Sequence, residues 1–232
     1  MSEPLVIAID GPAGAGKSTV ARKLAERLGL TYVDSGATYR AAALRVLEAK
    51  VSPEDEHAVS ELIDRTHIDF EIDGSRSRVL LDGHDVTQKI RSPEVTIAAA
   101  KVSRLPGVRK KLMALQRSLA RGRGVVMEGR DIGTVVFPQS PLKIFLKADP
   151  EERARRRLRD DEKQGRVATL EQTAYELGRR DQLDAERKIS PLVPAADAIE
   201  IDSTHLTAEE VVERILRFAA ERKLVAGSDG VK

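Results

Sequence analysis

Residues 11–18 read Gly-Pro-Ala-Gly-Ala-Gly-Lys-Ser, the G-x-x-x-x-G-K-[ST] spacing of a phosphate-binding loop. No other feature constrains the fold as strongly, because such a loop works only between a strand and a helix. Leu5-Val6-Ile7-Ala8-Ile9-Asp10 is a continuous apolar run of the kind buried on both faces of a parallel sheet. After the loop, Val20, Leu24 and Leu28 recur every four residues, and Gly29 stands where a helix end favours a left-handed residue. Gly11, Gly14 and Gly16 let the backbone turn tightly, so that several N–H groups converge on one anion at the start of a helix dipole. The nucleotide-binding segment is expected to comprise Gly11, Pro12, Ala13, Gly14, Ala15, Gly16, Lys17, Ser18 and Thr19. Lys17 is expected to reach the β- and γ-phosphates, and Ser18 to offer its hydroxyl to Mg²⁺.

Five short apolar runs predict core strands at 5–10, 30–34, 124–128, 142–147 and 198–202, separated by helical patterns. This is an α/β chain with a five-stranded parallel sheet and helices on both faces, and ligands bind at the carboxyl ends of such strands. Ser52-Pro53-Glu54, Ser92-Pro93-Glu94 and Asp149-Pro150-Glu151 read as helix starts, and Thr207-Ala208-Glu209-Glu210 as a capping box. Val108, Leu112, Leu115 and Leu119 form an apolar helical stripe. One stretch breaks the alternation. Ile68, Phe70 and Ile72 alternate with acids, and Asp73-Gly74 and Asp82-Gly83 flank Arg78-Val79-Leu80-Leu81. Residues 62–91 therefore read as an inserted antiparallel hairpin unit. The tail 226–232 is expected to fray.

The charge pattern narrows the partners. Net charge is only +2, yet basic residues cluster in Arg153-Ala154-Arg155-Arg156-Arg157-Leu158-Arg159. Aromatic residues make up 3% and Trp is absent, so little is available to stack on unpaired bases; small anionic substrates fit better than nucleic acid. The lack of a long apolar run, of an opening signal segment and of any Cys points to a cytoplasmic protein without membrane association. The four histidines, His57, His67, His84 and His205, lack metal-ligand spacing and read as surface or structural.

A phosphate loop alone says nucleotide, and the remaining residues sort the reaction classes. A guanine-reading Asn/Thr-Lys-x-Asp segment is missing, and the chain has no Asn at all. A small-molecule kinase needs a second, arginine-built anion site and a lid that excludes water. Asp34-Ser35-Gly36-Ala37-Thr38-Tyr39-Arg40 and Glu128-Gly129-Arg130-Asp131 lie at strand ends suited to that site. Arg180, Asp184 and Arg187 would share one face of a helix.

These blocks resemble the bacterial cytidylate kinases, of the nucleoside monophosphate kinase group. The likeness runs from about residue 5 to residue 205. It rests on Asp10-Gly11-Pro12, Asp34-Ser35-Gly36…Tyr39-Arg40, Glu128-Gly129-Arg130-Asp131…Gly133-Thr134-Val135-Val136-Phe137-Pro138, Arg180-Asp181-x-x-Asp184-x-x-Arg187, Ser190-Pro191-Leu192 and Ala195-Ala196-Asp197-Ala198 before Asp202-Ser203-Thr204. The resemblance implies transfer of the γ-phosphoryl group of ATP to CMP or dCMP. Carried over, Arg40, Arg130 and Arg187 clamp the acceptor phosphate, and Ser35, Arg109 and Asp131 lie near cytosine. Arg180 and Asp184 contact the sugar, and Arg153, Arg156 and Arg157 are lid arginines that close over the transferring group. Lys17, Arg130, Arg157 and Arg187 would then be catalytic. It further implies a single kinase chain acting as a monomer: a core of 1–36, 106–150 and 190–225, an acceptor-binding region with the β insertion at 37–105, and a helical lid at 151–189. A kinase for UMP or AMP, or a nucleotide-binding switch, remains the alternative. Glu128 stands either as a holder of a Mg²⁺-bound water or as an acid that orients Arg130. The pattern departs at Ala100, where many relatives carry a serine near the base; Ser103 lies three residues on. An unmade hydrogen bond there costs about 1–3 kcal/mol, so weaker discrimination of cytosine from uracil is expected.

Overall fold

The computed structural model describes residues 4–73, 76–163, 165–187 and 189–225. The first strand, β1 (Val6–Asp10), is buried at every position and leads through the glycine-rich loop into α1 (Lys17–Leu28). Then follow β2 (Thr31–Asp34), α2 (Ser35–Glu48) and α3 (Glu56–Arg65). The inserted unit holds β3 (Ile68–Asp73), β4 (Arg76–Leu81) and β5 (His84–Asp85). A 3₁₀ turn (Lys89–Arg91), α4 (Pro93–Val102) and α5 (Pro106–Leu119) lead back to β6 (Val125–Gly129). A π-helical turn (Ile132–Val136), β7 (Leu142–Lys147), α6 (Pro150–Lys163), α7 (Leu170–Ala185), β8 (Ile199–Asp202) and α8 (Ala208–Glu221) complete the chain.

All five expected core strands form one parallel sheet in the order β2-β6-β1-β7-β8. Its register sets the site. Asp10 lies opposite Gly129, and Asp34 opposite Glu128, so three strands end at one level. Fully buried Ile7, Leu24, Leu142, Ile144 and Ile215 pack α1 and α8 against one face. Val33, Val125, Met127 and Ile132 fill the other. Gly11 follows β1 at φ 143°, and a Cβ there would stand 2.0 Å from the Leu146 carbonyl oxygen of β7, so the loop crosses the sheet edge at a distance only glycine permits.

The insertion is a separate antiparallel sheet, β3-β4-β5, as its alternation predicts. Phe70 pairs with Val79 and Ile68 with Leu81, and these four join α2, α4 and α5 in a second apolar core. The β4–β5 turn is Asp82-Gly83, both at positive φ (48° and 83°), the geometry of a two-residue hairpin. The expected turn at Asp73-Gly74 runs into residues 74 and 75, outside the described residues, as does the tail 226–232.

Two local expectations are corrected. The helix expected at Ser52-Pro53-Glu54 starts later, at Glu56, with Asp55 as its N-cap accepting the Ala58 N–H at 3.0 Å. Ser52 instead closes a preceding turn, its carbonyl accepting the Asp55 N–H at 3.1 Å. Two capping signals compete three residues apart, and the later one aligns Val59 and Ile63 with the core. Arg187 lies past the end of α7 rather than on it. There the chain folds back, and the Asp184 carbonyl takes the Leu192 N–H at 2.9 Å. The other capping signals form as read. Ser92 accepts the Val95 N–H at 3.3 Å, and Thr207 and Glu210 make the reciprocal capping box.

Candidate active site

A cleft opens at the carboxyl ends of the parallel strands, where the topology of an open α/β sheet puts it. On one wall are Ala13, Gly14, Lys17 and Ser18 of the phosphate loop. Facing them are side chains from α2, α4, β6 and α7. Eight basic and four acidic residues line the cleft, so this spot carries a positive excess larger than that of the whole chain. Such a surface is built for more than one phosphate group.

Lys17 is 5% exposed, and its ammonium donates to the Pro12 carbonyl at 2.7 Å, folded back on its own loop. Burial, and then the neighbouring Arg130, pull it down to about 7 from the ordinary 10.5. Ser18 lines the cleft at the exposed start of α1. Thr19 is exposed beside it, and Ala15 is buried, its carbonyl accepting the Ser203 hydroxyl at 3.1 Å. At the base of the loop, Asp10 accepts the N–H groups of Ile132 and Gly133 at 2.8 and 2.7 Å. Its burial still raises it to about 6.

The acceptor wall is a set of ion pairs. Arg40 pairs with Asp34 at 2.5 Å. Burial alone would raise the Asp34 carboxyl, but Arg40 outweighs it and holds the group below the usual range. Asp184 is 3% exposed and takes Arg130 Nε at 2.8 Å on one oxygen and Arg187 on the other. Arg180 lines the same wall and is lowered to about 10 by burial and by Arg130. Deeper in, Arg109 pairs with Asp131, both buried; Arg109 also donates to the Ser103 carbonyl at 3.0 Å and lies over the Tyr39 ring. Ser35 lines the cleft while its hydroxyl donates to the Glu128 carbonyl at 2.6 Å. Ala100 and Ser103 both line it, and the Ser103 hydroxyl donates to the Ala100 carbonyl at 3.1 Å.

Of the three expected lid arginines, only Arg157 lines the cleft, its Nε on Asp161 at 3.1 Å. Arg156 turns to Glu152 and to the Ser203 carbonyl, and Arg153 is held by Asp181 and the Ala13 carbonyl. Arg91 and Arg166 line the cleft too, and no motif marks them. Tyr32 is a further addition: its hydroxyl donates to the Glu128 carboxylate at 2.7 Å. Burial and the Glu128 charge raise that phenol far above its ordinary range. Glu128 thus has a partner that neither sequence alternative named. Asp10 and Asp34 were readable as acids closing apolar strands, the signal that also marks Glu128.

A family model described as cytidylate kinase matches residues 7–221. The chain belongs to the cytidylate kinase family. A cytidylate kinase of Geobacillus sp. (strain WCH70) is 49% identical over 222 residues, covering 96% of this chain and 99% of that protein. The cytidylate kinase of Desulforamulus reducens is 49% identical over 223 residues, with 96% and 100% covered. That of Geobacillus kaustophilus is 50% identical over 222 residues, with 96% and 99% covered. At the level of fold alone, an uncharacterized protein from Eubacterium ventriosum superposes with a TM-score of 0.50 at 12% identity, covering 93% of this chain and 98% of that one. Membership of the cytidylate kinase family makes the chain a nucleoside monophosphate kinase, a phosphotransferase with ATP as donor. Among the described residues, no helix is long and apolar enough to cross a membrane.

Proposed function

We propose that the protein transfers the γ-phosphoryl group of ATP to CMP or dCMP, giving ADP and CDP or dCDP. One observation carries this reading: a phosphate loop with its lysine faces a second, arginine-built anion wall across a single cleft. The acceptor phosphate oxygen attacks the γ-phosphorus in line, and the bond from that phosphorus to the β-phosphate oxygen breaks. The acceptor phosphate is already ionised, so no strong general base is needed, and catalysis is positioning plus charge stabilisation.

The residues divide that work. Loop amides and Lys17 hold the donor phosphates. Arg40, Arg130 and Arg187 offer planar forks to the acceptor phosphate. Asp131, held in place by its pair with Arg109, accepts from the cytosine amino group. Arg180 and Asp184 contact the sugar, and Arg157 meets the charge developing between donor and acceptor. Mg²⁺ suits the oxygen donors here. The Ser18 hydroxyl lines the cleft with the Asp34 and Glu128 carboxylates, and this cation takes one or two protein oxygens and keeps water and phosphate oxygens for the rest. When bound, it neutralises charge on the β- and γ-phosphate oxygens. We further read 37–105 as the acceptor-binding region and 151–189 as a lid, in a monomer working in the cytoplasm.

ADP formation with Mg-ATP against CMP, dCMP, UMP, AMP, GMP and no acceptor tests this. Turnover confined to CMP and dCMP supports it. Broad activity including UMP keeps the kinase chemistry and assigns the loss of selectivity to Ala100. Acceptor-independent ATP hydrolysis alone overturns it.

A further inference from the structure

The phosphate loop does not stand free in front of the lid helices. Ala13 packs with Ala154 of α6 and Leu177 of α7 in a small apolar core of its own, with Leu170 against it. A polar clamp adjoins that core. The Ala13 N–H donates to Asp181 Oδ1 at 3.3 Å, and Arg153 Nη1 donates to the Ala13 carbonyl at 3.2 Å. Arg153 and Asp181 then pair with each other, at 10% and 19% side-chain exposure. Both backbone polar groups of one loop residue are therefore held by one largely buried ion pair.

The position of Asp181 along α7 gives the clamp its interest. Its neighbours Arg180 and Asp184 line the cleft, and Asp184 gathers Arg130 and Arg187. One helix thus touches the acceptor wall with some side chains and the donor loop with another. A helix is stiff over so few residues, so fixing one contact constrains the other.

We propose that Asp181 is a positioning residue that, through its pair with Arg153, couples the acceptor site to the phosphate loop. The proposal rests on the two-substrate reading above. An acceptor that engages Arg180, Asp184 and Arg130 fixes α7. Asp181 and Arg153 then fix Ala13, and with it the loop amides that receive the donor phosphates. Without the pair each substrate still binds, but neither improves binding of the other. Coupling between sites of this kind typically amounts to about 5–150-fold in affinity.

The test measures binding of a non-hydrolysable Mg-ATP analogue with and without saturating CMP. It uses the full-length protein, Asp181→Asn, Asp181→Ala, Arg153→Met and the Asp181→Ala/Arg153→Met double variant. The unmodified chain should bind the analogue about ten-fold more tightly when CMP is present. That ratio should fall below about two-fold in Asp181→Ala and in Arg153→Met, and no further in the double variant, because the two residues act as a unit. CMP binding by itself should stay within about two-fold, and hydrogen exchange at the Ala13 amide should rise about ten-fold. Asp181→Asn keeps the side-chain shape should Asp181→Ala fail to fold, and it too should lose most of the coupling. A ratio preserved in the Asp181 variants overturns the proposal. So does a parallel weakening of both substrates that tracks a fall in Tm, which is what a merely structural residue would give. Turnover on CMP by the unmodified chain is assayed alongside. If it is present while the ratio is one, the coupling fails and the kinase reading stands. If it is absent, the kinase reading fails, and the Ala13 exchange still decides whether Asp181 holds the loop.

Discussion

Removing the Asp131 carboxylate should strand a cation in the protein interior. The Arg109 and Asp131 side chains are 8% and 6% exposed; Arg109 also donates to the Ser103 carbonyl and lies over the Tyr39 ring, and the nearby Arg187 charge opposes Arg109. Breaking a buried pair from one side costs about 3–5 kcal/mol, because the remaining charge is left uncompensated. For a chain of this size each kcal/mol moves Tm by roughly 2–4 °C, so Asp131→Ala should lower it by about 6–20 °C. Adding Arg109→Met removes the stranded cation and keeps an apolar stem against Tyr39, so the double variant should recover at least half of that loss. Affinity should behave differently. The cytosine amino group loses a charged acceptor, worth about 1.5–3 kcal/mol, and CMP should bind about 10–150-fold more weakly in both variants. Thermal melts without ligand, paired with CMP titrations, separate the two effects. A Tm drop under about 3 °C for Asp131→Ala would refute the argument, as would a double variant less stable than Asp131→Ala.

Further tests follow from the same geometry. Lys17 sits at about 7 in the unliganded cleft, and bound phosphates will raise it, so ATP binding at pH 8 should take up close to one proton; calorimetry in buffers of different ionisation heat that shows no uptake would rule this out. The same lowered value means that Lys17 contributes stability above its ordinary 10.5, and that this contribution is lost as pH falls through about 7, where the buried amine must charge. Gly14→Ala puts a Cβ at φ 76° and 2.9 Å from the Arg153 carbonyl oxygen; left-handed strain alone costs about 1–2 kcal/mol, so Tm should fall by at least about 2 °C together with kcat, and an unchanged Tm contradicts the contact. Ala100→Ser restores a hydroxyl on the cleft wall and should raise the kcat/KM preference for CMP over UMP about five- to ten-fold; an unchanged ratio means that the base edge is read without position 100.

The parallel sheet was legible where its central strands are buried along their whole length and so read as apolar runs, as Val6–Asp10 and Val125–Gly129 do, whereas the edge strand Ile199–Asp202 exposes Glu200 and Asp202. The inserted sheet was legible for the opposite reason: one solvated face leaves a period of two. Side-chain partners were not legible in the same way. Arg153, Arg156 and Arg157 look alike on one helix, yet Asp181 and Ser203 capture the first two from other elements. Local periodicity contains nothing about a carboxylate 28 positions away. Asp10 shows in the sequence, but its hydrogen-bond partners 122 and 123 positions away do not, and neither does the bend that takes Arg187 off its helix.

The strand order has a consequence for how the protein is made. β1 lies in the middle of its sheet, and its neighbours β6 and β7 come more than a hundred residues later. At about 5–20 residues per second, a ribosome needs roughly 6–24 s to go from residue 10 to residue 129, where the first of these neighbours is complete. Throughout that interval Val6, Ile7 and Ile9 have no sheet to join. The apolar core around α2–α5, drawn almost entirely from residues 37–119, can meanwhile assemble from contiguous chain. The central strand of the sheet therefore waits for its neighbours, and the nascent chain carries it unpaired until β6 has been made, more than a hundred residues later.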